Sequence, residues 1–259
     1  MKEMQFIDSH THLYLPEFDN DRDEVIERAL GSGIKKMLLP NIDRESIEPM
    51  MSLADSYRGI CLPMIGVHPT SIKDDYREHL EAVKAYIERH KFIAIGEIGI
   101  DLYWDRTYIR QQEETFTEQL ELAGRENLPV VIHSRESLPE ILRIIDRAAI
   151  AGLRGVFHAF TGSVEEAREI IERGFLLGIG GVLTFKNSNL DRTLELIDIK
   201  NIILETDSPF LAPAPKRGKR NESSYIRFIA DKLAQVKKMP VEDIAGISTE
   251  NCNKLFNLD

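Results

Sequence analysis

Five of the chain's seven histidines, a glutamate and an aspartate each stand just after a short apolar run. His10 and His12 follow Met4-Gln5-Phe6-Ile7-Asp8, and His68 follows Ile60-Cys61-Leu62-Pro63-Met64-Ile65-Gly66-Val67. Glu97 follows Phe92-Ile93-Ala94-Ile95-Gly96, and His133 follows Leu128-Pro129-Val130-Val131-Ile132. His158 follows Leu153-Arg154-Gly155-Val156-Phe157, and Asp207 closes Ile202-Ile203-Leu204-Glu205-Thr206. Histidines scattered by chance would not all fall at one end of successive strands. Imidazoles and carboxylates converging on one face are the donor set of a divalent-metal site.

Each position has its own reading. Side chains two apart on extended backbone point the same way, so His10 and His12 can grip one ion, although an isolated pair also arises by coincidence. The glycines around Glu97, in Gly96-Glu97-Ile98-Gly99, allow the backbone to bend and another segment to come close. A carboxylate there can bridge two metals, one per oxygen; the alternative is a capping or ion-paired glutamate. A single strand-end histidine is more often structural than ligating, but His133 and His158 beside the histidine pair and Glu97 shift the balance to ligation. Glu205 and Asp207 share a strand face and are expected to look inward. Buried carboxylates need partners. A metal for Asp207 and a ligand histidine for Glu205 would satisfy both, as would ion pairing of both to Arg135. His68 reads as a donor to substrate or as a turn residue before Pro69. His79 and His90 read as helix-surface residues.

The elements that must position these groups alternate along the chain. Strand candidates lie near Met4, Met37, Ile60, Phe92, Val130, Gly155, Phe175 and Ile202. Amphipathic stretches run from Asp21 to Leu30, Glu45 to Tyr57, Asp75 to Arg89, Tyr108 to Arg125 and Glu136 to Ala149. Ser163-Val164-Glu165-Glu166 has the form of a capping box opening a helix through Glu172, and further helices are expected over Glu222 to Val236 and Ser248 to Phe256. Alternating strands and helices over 259 residues predict an α/β fold, a TIM (β/α)8 barrel forming a single domain over 1–259. An open doubly wound sheet fits less well, because it does not gather residues from so many strand ends.

The bulk properties exclude several classes. No apolar run approaches the roughly 18–20 residues of a membrane span. The first residues lack the apolar core of a signal peptide, and Cys61 and Cys252, far apart with no CxxC spacing, read as reduced thiols, so a cytoplasmic protein is expected. A net charge of -10 argues against a protein that coats long nucleic acid. Positive charge is instead local. Arg135, Lys186 and the cluster Lys216, Arg217, Lys219 and Arg220 fall in loops expected on the catalytic face, where they would hold a few phosphates; the alternative is a solvated basic loop.

Seven segments in order resemble the signatures of the TatD-family metal-dependent deoxyribonucleases, which belong to the amidohydrolase-like hydrolases. They are Asp8-Ser9-His10-Thr11-His12-Leu13, Gly66-Val67-His68-Pro69, Gly96-Glu97-Ile98-Gly99-Ile100-Asp101, Val131-Ile132-His133-Ser134-Arg135, His158-Ala159-Phe160-Thr161-Gly162, Leu204-Glu205-Thr206-Asp207-Ser208-Pro209 and Arg217-Gly218-Lys219-Arg220-Asn221-Glu222. Ala159, where many relatives have cysteine, and Ser223, where many have proline, depart from the pattern without touching a ligand position. The resemblance implies one divalent ion on His10, His12, Glu97 and Asp207 and a second on Glu97, His133 and His158. It implies a metal-activated water attacking a phosphodiester, with Asp207 as proton acceptor and His68 as donor to a phosphate oxygen. Substrate contacts are expected from Arg135, Lys186, Arg217 and Arg220, and Glu205 would orient a ligand histidine. The ions would be magnesium, manganese, zinc or nickel. The expected substrate is DNA or a short oligonucleotide, taken from single-stranded ends, with no membrane and no obligate protein partner. Amide or aminoacyl-ester hydrolysis on the same scaffold, or a non-catalytic metal-binding scaffold protein, are the rival readings.

Overall fold

The expected runs become eight parallel strands: β1 (Phe6–Asp8), β2 (Ile34–Leu39), β3 (Cys61–Pro63), β4 (Ile95–Asp101), β5 (Val130–Arg135), β6 (Gly155–Phe157), β7 (Phe175–Ile179) and β8 (Ile202–Leu204). The computed structural model describes residues 4–258; the remaining positions of the expected 1–259 domain lie outside the described residues. The strands form two arcs, β1-β2-β3 and β4-β5-β6-β7-β8. Single parallel bridges join them, Ile65 to Ile95 at one seam and Thr11 to Ser208 at the other. The ring therefore closes into the expected (β/α)8 barrel.

The barrel floor is one apolar layer. Ile7, Leu38, Met64, Ala94, Val131, Val156 and Ile203 meet there, with Leu176 packed against them. Cys252, Leu255, Phe256 and Leu258 from the end of the last helix plug it. His133, His158 and Glu205 each lie two residues beyond a floor residue, so strand alternation carries them to the next layer up. A second core fills the space between strands and helices, with Phe116, Phe157 and Phe175 among its largest buried side chains. Each such burial is worth about 1.5–3 kcal/mol. A surface ion pair is worth roughly 0–1, so packing, not surface charge, holds the strand ends in place.

The helices are α1 (Arg22–Gly31), α2 (Ile47–Ser56), α3 (Tyr76–Ile87), α4 (Ile109–Glu126), α5 (Leu138–Ala148), α6 (Val164–Glu172), α7 (Leu190–Glu195), α8 (Ile226–Lys237) and α9 (Val241–Phe256). The capping box at α6 is complete: Ser163 Oγ accepts from Glu166 N at 3.2 Å, and Glu166 Oε2 accepts from Ser163 N at 2.7 Å. Two expectations need correction. The last helix starts at Val241, not Ser248, with Glu242 and Asp243 in its first turn after Pro240. His79 is not a surface residue: it is buried, and its Nδ1 accepts from Arg44 N at 3.1 Å, tying α3 to the β2–α2 loop. His90 is exposed, but it stands past the end of α3, stacked on Tyr86. Cys61 and Cys252 are buried and free, and burial pushes the Cys61 thiol up to about 12. Among the described residues no helix is long and apolar enough to cross a membrane.

Candidate metal centre

Glu97, buried in β4, stands at the middle of the strand C-termini. Its Oε1 faces three ring nitrogens: His158 Nε2 at 2.7 Å, His133 Nδ1 at 3.0 Å and His68 Nε2 at 3.2 Å. Its Oε2 faces His10 Nε2 at 3.1 Å and His12 Nε2 at 3.7 Å. Asp207 Oδ1 lies 3.7 and 3.6 Å from those last two nitrogens. The other five expected ligand positions thus meet around the Glu97 carboxylate, His10, His12 and Asp207 on one side and His133 and His158 on the other. The two sides touch where the His10 and His158 rings stack 4.0 Å apart.

Local backbone makes this convergence possible. Gly99 takes φ +145, and a Cβ there would lie 2.0 Å from His133 O, so only glycine lets β5 run this close to β4. A Cβ on Gly178 would meet Glu205 Oε2 at 2.2 Å. Asp207 reaches the centre by a route other than the expected one. β8 ends at Leu204, and Asp207 takes φ +56, so a left-handed turn rather than strand alternation aims its carboxylate. Asp8, which the sequence reading left without a role, holds the seam behind it, accepting from Thr206 N at 2.9 Å and Thr206 Oγ1 at 2.6 Å. Burial raises its carboxyl to about 7 despite those bonds.

The charge balance calls for cations. Burial alone would push Glu97 up, but His158, His68 and His10 outweigh it and hold it well below the usual carboxylate range. Burial opposes a charge on His158 and His133, yet Glu97 with Glu205 in one case, and Asp101 with Glu97 in the other, raise both rings. Burial lowers His10 and His68. Ring nitrogens also face each other, His10 Nε2 and His12 Nε2 at 3.2 Å and His158 Nε2 and His133 Nδ1 at 3.4 Å. Five imidazole nitrogens crowd two carboxylates, a donor set that divalent ions would satisfy better than protons. His158 Nδ1 and Glu205 Oε2 are buried without hydrogen-bond partners, while Glu205 Oε1 is 3.6 Å from His158 Nδ1 and accepts from Ala159 N. Glu205 therefore faces His158, the histidine expected to be a ligand, and does not pair with Arg135.

Outer contacts select the tautomers. The Tyr14 hydroxyl gives its only proton to Pro40 O at 2.6 Å, so at 3.0 Å it accepts from His12 Nδ1, leaving the Nε2 lone pair for a metal. Asp101 Oδ2 accepts from His133 Nε2 at 3.0 Å, which turns the Nδ1 lone pair inward. His68 is set the opposite way. Its Nδ1 accepts from Thr70 N at 3.2 Å, so in the neutral ring the proton is on Nε2, pointing at Glu97 Oε1. His68, Glu97 and His133 lie close enough to hold an ion, but this tautomer makes His68 a donor into the site. Tyr14 and Asp101 were not singled out from sequence; Tyr14 follows the histidine motif and Asp101 closes the glutamate motif, and only the three-dimensional contact reveals the role.

The basic residues divide. Arg135, Lys186 and Arg217 are exposed. Arg135 lies over the Tyr103 ring at 3.8 Å and Arg217 over the Phe185 ring at 3.6 Å. Arg220 is committed elsewhere: it pairs with both Asp21 oxygens at 2.8 and 2.7 Å and donates to Glu17 O at 2.6 Å. Its charge is matched by Asp21 and its bonds anchor the β8–α8 loop to the start of α1, so the expected substrate contact does not fit its surroundings.

A family model described as TatD related DNase matches residues 7–257. Metal-dependent hydrolase YabD of Bacillus subtilis (strain 168), itself described as uncharacterized, is 38% identical over 253 residues, 97% of this chain and 99% of that one. A 3'-5' ssDNA/RNA exonuclease TatD of Cronobacter sakazakii is 33% identical over 246 residues, 93% of each. The crystal structure of YjjV, a TatD homolog from Escherichia coli K12, superposes with a TM-score of 0.92 at 29% identity, covering 98% of both chains.

Proposed function

The chain belongs to the TatD related DNase family, a family of metal-dependent hydrolases, and from that membership we propose that it cleaves phosphodiester bonds of DNA with two divalent ions, working from single-stranded ends. The observation that carries the two-ion reading is Glu97, whose two oxygens face separate histidine clusters. His10, His12, Glu97 and Asp207 would hold one ion, and Glu97, His133 and His158 the other. Ions so held supply Lewis acidity and lower the pKa of a nucleophilic water.

The chain's own groups supply the rest. The Asp207 carboxylate is held below its ordinary range despite burial, beside the His12 and His10 rings at 3.6 and 3.7 Å, and is ready to take a proton. His68 keeps its Nε2 proton toward the centre through the Thr70 contact and donates to a phosphate oxygen. Tyr14, Asp101 and Glu205 hold the three rings in orientation. Exposed Arg135, Lys186 and Arg217 are available to phosphates flanking the scissile one.

A labelled single-stranded DNA digestion series with magnesium, manganese, zinc or nickel tests the reading. Metal-dependent shortening from one end, abolished by a chelator, is expected. Turnover of an amide or aminoacyl-ester panel with no phosphodiester cleavage under any ion would replace it.

A further inference from the structure

Among the described residues the exposed large hydrophobics are Leu30, Tyr103, Trp104, Leu196, Phe210 and Leu211. Four of these six lie in the loops that follow β4 and β8, on the side of the barrel that carries Glu97 and Asp207. Phe210 sits 6.1 Å from the His12 ring. Trp104, the only tryptophan in the sequence, is 68% exposed. Its ring meets Tyr103 edge-on at 4.9 Å, and the Arg135 guanidinium lies 3.8 Å from the Tyr103 centroid and 5.1 Å from that of Trp104.

This patch is fixed to the metal centre by one side chain. Asp101 Oδ1 accepts from Tyr103 N at 3.0 Å and Trp104 N at 3.2 Å, while its Oδ2 holds His133. The aromatic loop and a metal-facing histidine thus share a carboxylate. An indole left exposed on an ordered loop beside a guanidinium is the arrangement on which unpaired bases stack. The charge of the chain sharpens the point. A net charge of -10 weakens the general attraction between the chain and a phosphate strand, so affinity from phosphate contacts is limited. Stacking is then the larger source of grip.

We infer that Tyr103, Trp104 and Arg135 form a platform for an unpaired nucleobase, which selects single-stranded over duplex ends. The inference rests on the proposed nuclease function and names the part of the substrate that the loop reads. A base at a duplex end is held by its pair and by the stack beneath it, whereas an unpaired base is free to turn onto Trp104.

The lone tryptophan makes the test direct. Stopped-flow fluorescence of the metal-loaded enzyme reads binding before turnover, with oligothymidylate or an abasic strand of the same length. The thymidylate strand should quench Trp104 emission and the abasic strand should not. Trp104→Leu keeps an apolar side chain but loses the planar face, and should raise KM on oligothymidylate about tenfold; Trp104→Phe should recover most of that loss. Equal quenching by the abasic strand, or an unchanged KM in Trp104→Leu, would overturn the platform. DNA cleavage without any change in emission removes the platform and leaves the nuclease reading intact. Base-dependent quenching without cleavage keeps the platform and removes the nuclease reading.

Discussion

Asp101→Asn is the sharpest test of how the centre is wired. The carboxylate has two duties: Oδ1 accepts from Tyr103 N and Trp104 N, and Oδ2 accepts from His133 Nε2. An asparagine cannot do both. With its oxygen on the loop, its NH2 faces the His133 N–H, donor against donor. Turned over, it would leave two backbone donors without an acceptor, each costing about 1–3 kcal/mol. The first orientation is therefore preferred, and the ring must switch tautomer, accepting at Nε2 and carrying its proton on Nδ1. That proton stands where the metal should bind. Loss of such an orienting partner typically weakens metal affinity by about 10–100-fold, or roughly 1.4–2.7 kcal/mol. Equilibrium dialysis with metal analysis reads the result: one site near wild-type affinity, on the His10 and His12 side, and one weakened by that factor. The variant should stay folded, since its loop bonds survive. Two sites of wild-type affinity in a folded Asp101→Asn protein would refute the tautomer argument.

Other outcomes follow from the same geometry. Glu97→Ala should lose both ions, and two ions per chain in that variant would rule out the bridge. Asp207→Asn keeps one oxygen but little basicity, so turnover should fall by about 10²-fold or more with most metal retained, as single-turnover kinetics would show. Tyr14→Phe should weaken the His12 side by about 10–100-fold in metal affinity, in contrast to Asp101→Asn. Arg220→Ala should lower the melting temperature at pH 7 while leaving oligonucleotide KM unchanged. Its bonds to Asp21 hold that carboxyl below its ordinary 3.8. A depressed carboxyl stabilises above its unfolded pKa and ceases to do so as pH falls through the folded value, so the difference in melting temperature should shrink below about pH 4. A difference that does not shrink at all as pH falls from 7 through the acid range would contradict the pairing.

The residues that gather around Glu97 were legible in the sequence because strand alternation and the rule that barrel chemistry gathers at strand C-termini both act locally. Their partners were not. Tyr14 and Asp101 are two residues past His12 and four past Glu97, ordinary loop and strand residues until the ring they orient is placed. Asp207 meets His10 and His12 by a geometry other than the expected one, since its left-handed turn leaves no mark in an apolar run. Arg220 looked like a substrate contact because charge is visible in a sequence and its neutralisation is not; Asp21 lies 199 positions away. His79 failed for a related reason, since an amphipathic stretch does not reveal which polar residue its buried edge will use. α7, six residues long, was too short to show a period.

The seam between β8 and β1 also sets an order in time. His10 and His12 leave the ribosome early, whereas Asp207 and the Thr206 contacts to Asp8 are some 200 positions later. The cluster of Glu97, His133 and His158 spans far less chain. During synthesis the second cluster can be complete while the first still lacks its carboxylate. The first ion would then act as a clasp, fastened only when the last strand docks. A cell short of metal would accumulate chains whose ring is built but whose seam lacks that clasp and rests on packing, the Asp8–Thr206 bonds and the Arg220–Asp21 pair.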